Sequence, residues 1–151
     1  MSYWLFKTDA EDYTIKDLKQ DKKTAWTGVR NYQARNFMRD HMKKGDLVLF
    51  YHSGGLTPGV AGIAKVTSTP YPDPTQFEKK SKYFDPKATK EKPIWFLVDI
   101  QYVKTFKNFI SISIMRNTQE LKDMLALRIG NRLSITPVTE KEFNAIENIS
   151  N

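Results

Sequence analysis

The chain reads as a mixed α+β fold, five or six strands and short helices around a curved or closed sheet, on three observations. Short apolar and aromatic runs with β preference recur along all 151 residues. Between them lie brief stretches of helical periodicity that begin with capping signals. No internal repeat, linker or low-complexity tract breaks the pattern, and the length is that of one typical domain, so residues 1–151 are expected to form a single domain.

Residues 3–7, YWLFK, form the first expected strand. Thr14 with Asp17 three residues on matches a capping box and opens a short helix with Ile15 and Leu18 inward, ending near Gln20. A polar turn is expected next. Asn31 is the N-cap of the strongest helical pattern, in which Ala34, Phe37, Met38, His41 and Met42 recur on one face and Gly45 closes the segment. Residues 46–52 and 60–67 read as a hairpin across a loop, 53–59, that holds three glycines and a proline.

Residues 68–93 contain five prolines and scattered lysines, which predicts a long surface excursion without regular structure. A long strand is expected over 94–106, with Ile94, Phe96, Val98, Ile100 and Tyr102 on one face and Trp95, Asp99 and Gln101 on the other. Residues 111–116 and 118–127 read as two short helices, 132–137 as a last strand, and Thr139 with Glu142 as the capping box of a final helix striped by Phe143, Ile146 and Ile149.

Lys and Arg number 24 against 17 Asp and Glu, a net charge of +7 that raises the local concentration of polyanions near the surface. The surplus is spread along the chain, so a positive patch has to be assembled by folding, from Arg30, Arg35 and Arg39 or from Lys79, Lys80 and Lys82. No apolar run approaches the ~20 residues that span a bilayer, and no secretory signal layout opens the chain, so a soluble cytoplasmic protein without a membrane partner is expected. The lack of cysteine removes thiolate chemistry and Cys-based zinc sites. The two histidines, His41 and His52, sit in no metal-ligand pattern, and neither GxSxG, a P-loop nor GxGxxG occurs, so no metal, no cofactor and no catalytic residue is expected.

The segment from Trp26 to Asn36, WTGVRNYQARN, places an indole before a glycine and sets two arginines and two asparagines near a helix start. An indole gives a stacking face for a base, Asn can pair with a base edge, and Arg or helix N-terminal amides hold phosphate. The same residues also suit plain structural roles: Trp26 in the core, Asn31 as a cap and the arginines on a solvated helix face. Tyr51, His52 and Ser53 are either the rim of a site or the end of a strand.

Six stretches resemble one family in order: YWLFKT at the start, WTGVRNYQARNFMRDHMKKGDLVLFYHS from Trp26 to Ser53, GVAGIAKV, YPDPTQF, PIWFLV and RLSITPVT. The pattern, similar to that of the EVE domain family, covers about nine tenths of the chain. The resemblance implies a PUA-like pseudobarrel of five to six strands with short flanking helices, related to the YTH readers of methylated adenine. It also implies a non-catalytic module that takes a modified nucleobase of DNA or RNA into an aromatic pocket beside the first strand. Carried over by position, the resemblance implies Trp26 as the stacking wall, Lys7 and Thr8 at the pocket mouth and Asn31 as the base-edge partner. The same resemblance implies that Arg30 and Arg35 hold phosphate or shape the pocket and that Tyr51, His52 and Ser53 complete the rim. After the first-strand lysine the family often has an acidic residue or serine and then proline, where this chain has Thr8, Asp9 and Ala10. Two other classes stay open: an enzyme using His52 or Asp9 as acid or base, and a small-molecule or protein-binding module.

Overall fold

The computed structural model describes residues 1–151. In chain order its elements are β1 (Tyr3–Asp9), α1 (Ile15–Asp21), β2 (Lys23–Ala25), α2 (Tyr32–Asn36) running into a π turn (Phe37–His41), β3 (Leu47–Ser53) and β4 (Gly59–Val66). There follow β5 (Tyr71–Pro72), β6 (Phe96–Leu97), β7 (Asp99–Ser111), α3 (Ile112–Arg116), β8 (Ile135–Val138) and α4 (Glu140–Ser150). Six strands make one curled half-barrel in the order β2-β7-β4-β3-β1-β8, while β5 and β6 pair apart from it. Strands β1 and β3 run parallel in register from Tyr3 opposite Leu47 to Asp9 opposite Ser53, and every other pairing is antiparallel. The expected mixed α+β pseudobarrel is the fold.

The unbroken apolar runs of β1 and β3 follow from burial on both faces of the sheet. Alternation sends Trp4, Phe6, Val48 and Phe50 to one core, which α1, α2 and the π turn cover through Ile15, Leu18, Ala34, Met38 and Met42. Leu5, Leu49 and Tyr51 point to a second core, closed by Met115, Leu121, Met124, Phe143 and Ile146. Both capping boxes form: Thr14 and Asp17 exchange hydrogen bonds at α1, and Thr139 and Glu142 do so at α4. Each satisfies donors at a helix start that would otherwise lack partners.

Five expectations change. The helix after Asn31 loosens, with the Met42 N–H donating to the Phe37 carbonyl across five residues, so one extra residue enters the turn and His41 swings to solvent while Met42 stays buried. The polar turn after α1 contains an edge strand, β2, whose Lys23, Thr24 and Ala25 pair with Gln101, Ile100 and Asp99. Residues 118–127 form two 3₁₀ turns instead of a helix, and residues 94–106 break at Val98 into β6 and the start of β7. That break turns Trp95 inward, where it is buried. Nor is the 68–93 stretch a bare excursion, because it carries β5, a 3₁₀ turn over Pro74–Phe77 and two fully buried polar side chains, Asp73 and Gln76.

The start of the sheet is locked by Asp46, a buried carboxylate that accepts hydrogen bonds from the Trp4 indole at 3.0 Å, the Lys43 amide at 3.0 Å and the Ser2 amide at 3.1 Å. Removing that acceptor strands a buried indole N–H. Asp46→Ala is expected to lower unfolding free energy by about 1–3 kcal/mol, and Asp46→Asn, which keeps one acceptor, by less, as read from urea denaturation midpoints.

Candidate functional site

The half-barrel is not closed, and β2 and β8 are its two free edges. A cavity of about 360 Å³ opens between them, within the ~300–1,000 Å³ usual for small-ligand sites. One wall is the end of β1, Lys7, Thr8 and Asp9, with Ser134 just before β8; the other is Thr24 and Ala25 of β2 and the segment from Trp26 to Arg30. Tyr13 and Tyr83 complete the lining with Asp12. The free edges of a sheet carry main-chain donors and acceptors without a strand partner, so a ligand here meets hydrogen-bonding backbone as well as side chains.

Trp26 is half-buried at the floor. Its ring lies 5.3 Å from Phe6 and 5.8 Å from Phe50, centroid to centroid, with Tyr13 edge-on at 6.3 Å, and its amide donates to the Val98 carbonyl. The indole thus packs against the core and also lines the cavity. Burial pushes the Tyr13 phenol up to about 12, helped by its hydrogen bond to Asp21. Burial lowers the Lys7 ammonium, which sits 5.5 Å from the centre of the Tyr51 ring.

The outer wall is built around Arg30. Its five guanidinium N–H bonds are all used: two reach the Tyr83 carbonyl, and one each the Val29 carbonyl, Asp73 and Thr75. Asp73, only 1% exposed, also accepts from the Gly28 amide at 2.8 Å and from the Thr75 amide and hydroxyl. This network draws residues of the proline-rich stretch over the Trp26–Asn31 segment. Gly28 has φ +89°, and a β-carbon there would lie 2.5–2.9 Å from the Tyr83 ring, so only glycine lets the tyrosine close the wall. Arg30 therefore shapes the pocket, with no N–H left for phosphate.

Of the nine site residues expected from the sequence, the structure brings Lys7, Thr8, Trp26 and Arg30 around the cavity and places five outside its lining. Asn31 caps α2, accepting from the Ala34 amide. Arg35 donates to the Ile94 carbonyl and to Asn36. Strand alternation carries Tyr51 into the opposite core. The His52 Nε2 accepts the Ile15 amide at the start of α1, and the Ser53 carbonyl accepts the Ala10 amide. Sequence reading missed Thr24, Gly28, Tyr83 and Asp73 as parts of the wall; the one signal was the TGVRN run, whose glycine before an arginine marks the tight approach. No group of three His, Asp or Glu side chains is arranged to hold a metal ion.

The EVE domain model matches residues 2–149. The chain belongs to the EVE domain family. Human thymocyte nuclear protein 1 is 40% identical over 164 residues, covering 96% of this chain and 72% of that protein. Among solved structures, a Pseudomonas syringae protein superposes with a TM-score of 0.94 at 43% identity, over 99% of this chain and 100% of that one. Human THYN1 in complex with DNA containing 5-methylcytosine gives a TM-score of 0.93 at 38% identity, over 99% and 98%.

Two outcomes follow from this geometry. Gly28→Ala is expected to cost more stability than Gly130→Ala, which shares a positive φ but has open space around it; each loses about 1–2 kcal/mol to the backbone, and Gly28 adds the Tyr83 clash. Urea midpoints of the two variants measure the difference. Burial lowers the His52 pKa below its usual value, against an opposing pull from Asp17. The unfolded chain then binds a proton that the folded protein does not, so stability falls as pH drops from about 7 towards about 5. Replacing His52 with Gln flattens that slope in urea titrations across the same range.

Proposed function

We propose that this EVE domain is a non-catalytic binding module that takes a modified base of DNA, of the 5-methylcytosine kind, into the cavity between β2 and β8. The observation that carries the reading is the likeness, over nearly the whole chain, to human THYN1 in its complex with 5-methylcytosine DNA. The cavity supports it: Trp26 offers a stacking face and Thr8, Thr24 and Ser134 bring polar side chains to the lining. Stacking of a base on an aromatic ring is worth about 1–3 kcal/mol. A methyl group against an apolar wall adds a similar amount, so discrimination between modified and plain cytosine is modest.

A binding role also suits the histidine. The His52 Nε2 lone pair is engaged by the Ile15 amide, which leaves it no acceptor at that atom for a substrate proton. Surface lysines are available for phosphate contacts. Ion pairs number three, Arg30 to Asp73, Arg39 to Asp40 and Lys104 to Glu147, so Lys79, Lys80 and Lys82 near the Tyr83 wall are unpaired. Such contacts release counterions, and affinity falls as salt rises.

Fluorescence anisotropy with DNA and RNA oligonucleotides, with and without 5-methylcytosine, at two salt concentrations, tests the reading. The expected result is salt-dependent binding that prefers methylated DNA and weakens by about 1–3 kcal/mol in Trp26→Ala, with circular dichroism showing the variant folded. Equal binding of methylated and plain oligonucleotides, or binding indifferent to Trp26→Ala, overturns it.

A further inference from the structure

One aromatic side chain next to the cavity is displayed to solvent. Tyr32, the first residue of α2, is 59% exposed, and of the other aromatic residues just Phe109, at 38%, is exposed. Its ring stacks on Trp95 with centroids 4.9 Å apart and planes tilted by 24°, close to the offset parallel arrangement that aromatic pairs favour. Trp95 is a rigid base for it. Its indole donates to Asp85 at 2.8 Å, its amide donates to the Gln76 side-chain oxygen at 2.8 Å, and its carbonyl accepts from the Gln76 side-chain nitrogen at 2.8 Å.

Arg35 stands at the side of this pair. Its guanidinium carbon lies 4.8 Å from the Tyr32 centroid and 5.8 Å from that of Trp95. With the rings 4.9 Å apart, those separations put Arg35 beside the stack and not across the Tyr32 ring from Trp95, and at 59% exposure Tyr32 is open to solvent on its outer side. The guanidinium makes three hydrogen bonds, to the Ile94 carbonyl and twice to Asn36, and pairs with no carboxylate. Two of its five N–H bonds are therefore unused. The platform is also continuous with the cavity, because Arg30 packs 5.3 Å from Trp95 and 5.4 Å from Tyr83, and both Arg30 and Tyr83 line the cavity.

We propose that the outer face of Tyr32, backed by Trp95 and flanked by Arg35, is a second base subsite. It stacks an unpaired nucleobase next to the modified base in the same DNA strand, while the free N–H groups of Arg35 hold the phosphate between them. A flat π face beside an uncompensated planar cation is the combination that single-stranded nucleic acid uses without sequence preference. The subsite rests on the reading that the cavity holds a base, and it adds affinity for unpaired strand without adding discrimination for the modification.

The test measures affinity for a single-stranded DNA oligonucleotide with one 5-methylcytosine, and for the same oligonucleotide with abasic residues on both sides of it. Tyr32→Leu keeps Trp95 covered but removes the π face; Tyr32→Phe keeps both. The expected result is a loss of about 5- to 150-fold for Tyr32→Leu on the intact strand, little change for Tyr32→Phe, and no further loss for Tyr32→Leu on the abasic-flanked strand. The proposal is overturned if Tyr32→Leu binds the intact strand as the wild type does, or if it loses equally on both strands. Trp26→Ala on the abasic-flanked strand separates the two ideas. Indifference there removes the cavity reading and the subsite that rests on it, whereas a loss there with no effect of Tyr32→Leu on the intact strand removes the subsite alone; a wild type that binds neither strand removes both.

Discussion

The cavity depends on one buried carboxylate. Asp73 gathers the Gly28 amide, the Arg30 guanidinium and the Thr75 amide and hydroxyl around two oxygens, and so joins two segments more than forty residues apart. A buried, hydrogen-bonded charge pair is strongly destabilised when one partner is lost. The cost of desolvation is met by geometry: Arg30 uses every N–H, and its face packs between Tyr83 and Trp95. The wall is consequently stiff at the point where a flat ligand would press against it.

The half-barrel supplies the opposite constraint. A six-stranded sheet that stops short of closure leaves two edges, which invite pairing with other chains. Here both edges are short, three residues in β2 and four in β8. Strand β8 contains Pro137, tolerable because an edge strand needs no donor on its outer side. The edges are thus kept from becoming sticky, while the gap between them stays wide enough for a cavity. Closing the barrel would satisfy the edge groups and fill that space.

Much of the fold was legible because its signals are local. The capping boxes at Thr14 and Thr139, the Asn31 cap and the β1, β3 and β4 runs depend on neighbours a few residues away, and all appear where the sequence places them. What was illegible is tertiary. Lys23, Thr24 and Ala25 have no strand character of their own and become β2 through pairing with β7. The proline-rich stretch looked like surface because prolines and lysines usually mark it, yet Asp73 and Gln76 are buried polar anchors whose partners lie in distant segments. Trp95 was assigned to the wrong face by a period-two count that runs through the break at Val98.

The site followed the same division. Trp26, Lys7, Thr8 and Arg30 belong to segments whose direction the local fold determines, and they converge. Tyr51, His52 and Ser53 were grouped because they are consecutive, but a strand sends consecutive side chains to opposite faces. Tyr51 therefore enters the second core, while His52 lies against Phe50 under the first turn of α1. Tyr83 could not be found from spacing at all, since its place in the wall is decided by a missing β-carbon at Gly28. That pairing has a mechanical consequence. A tyrosine ring resting on bare backbone has no side chain beneath it to yield, so the width of the cavity at this point is set by main-chain geometry and by the hydrogen bonds that Arg30 makes to the Tyr83 carbonyl.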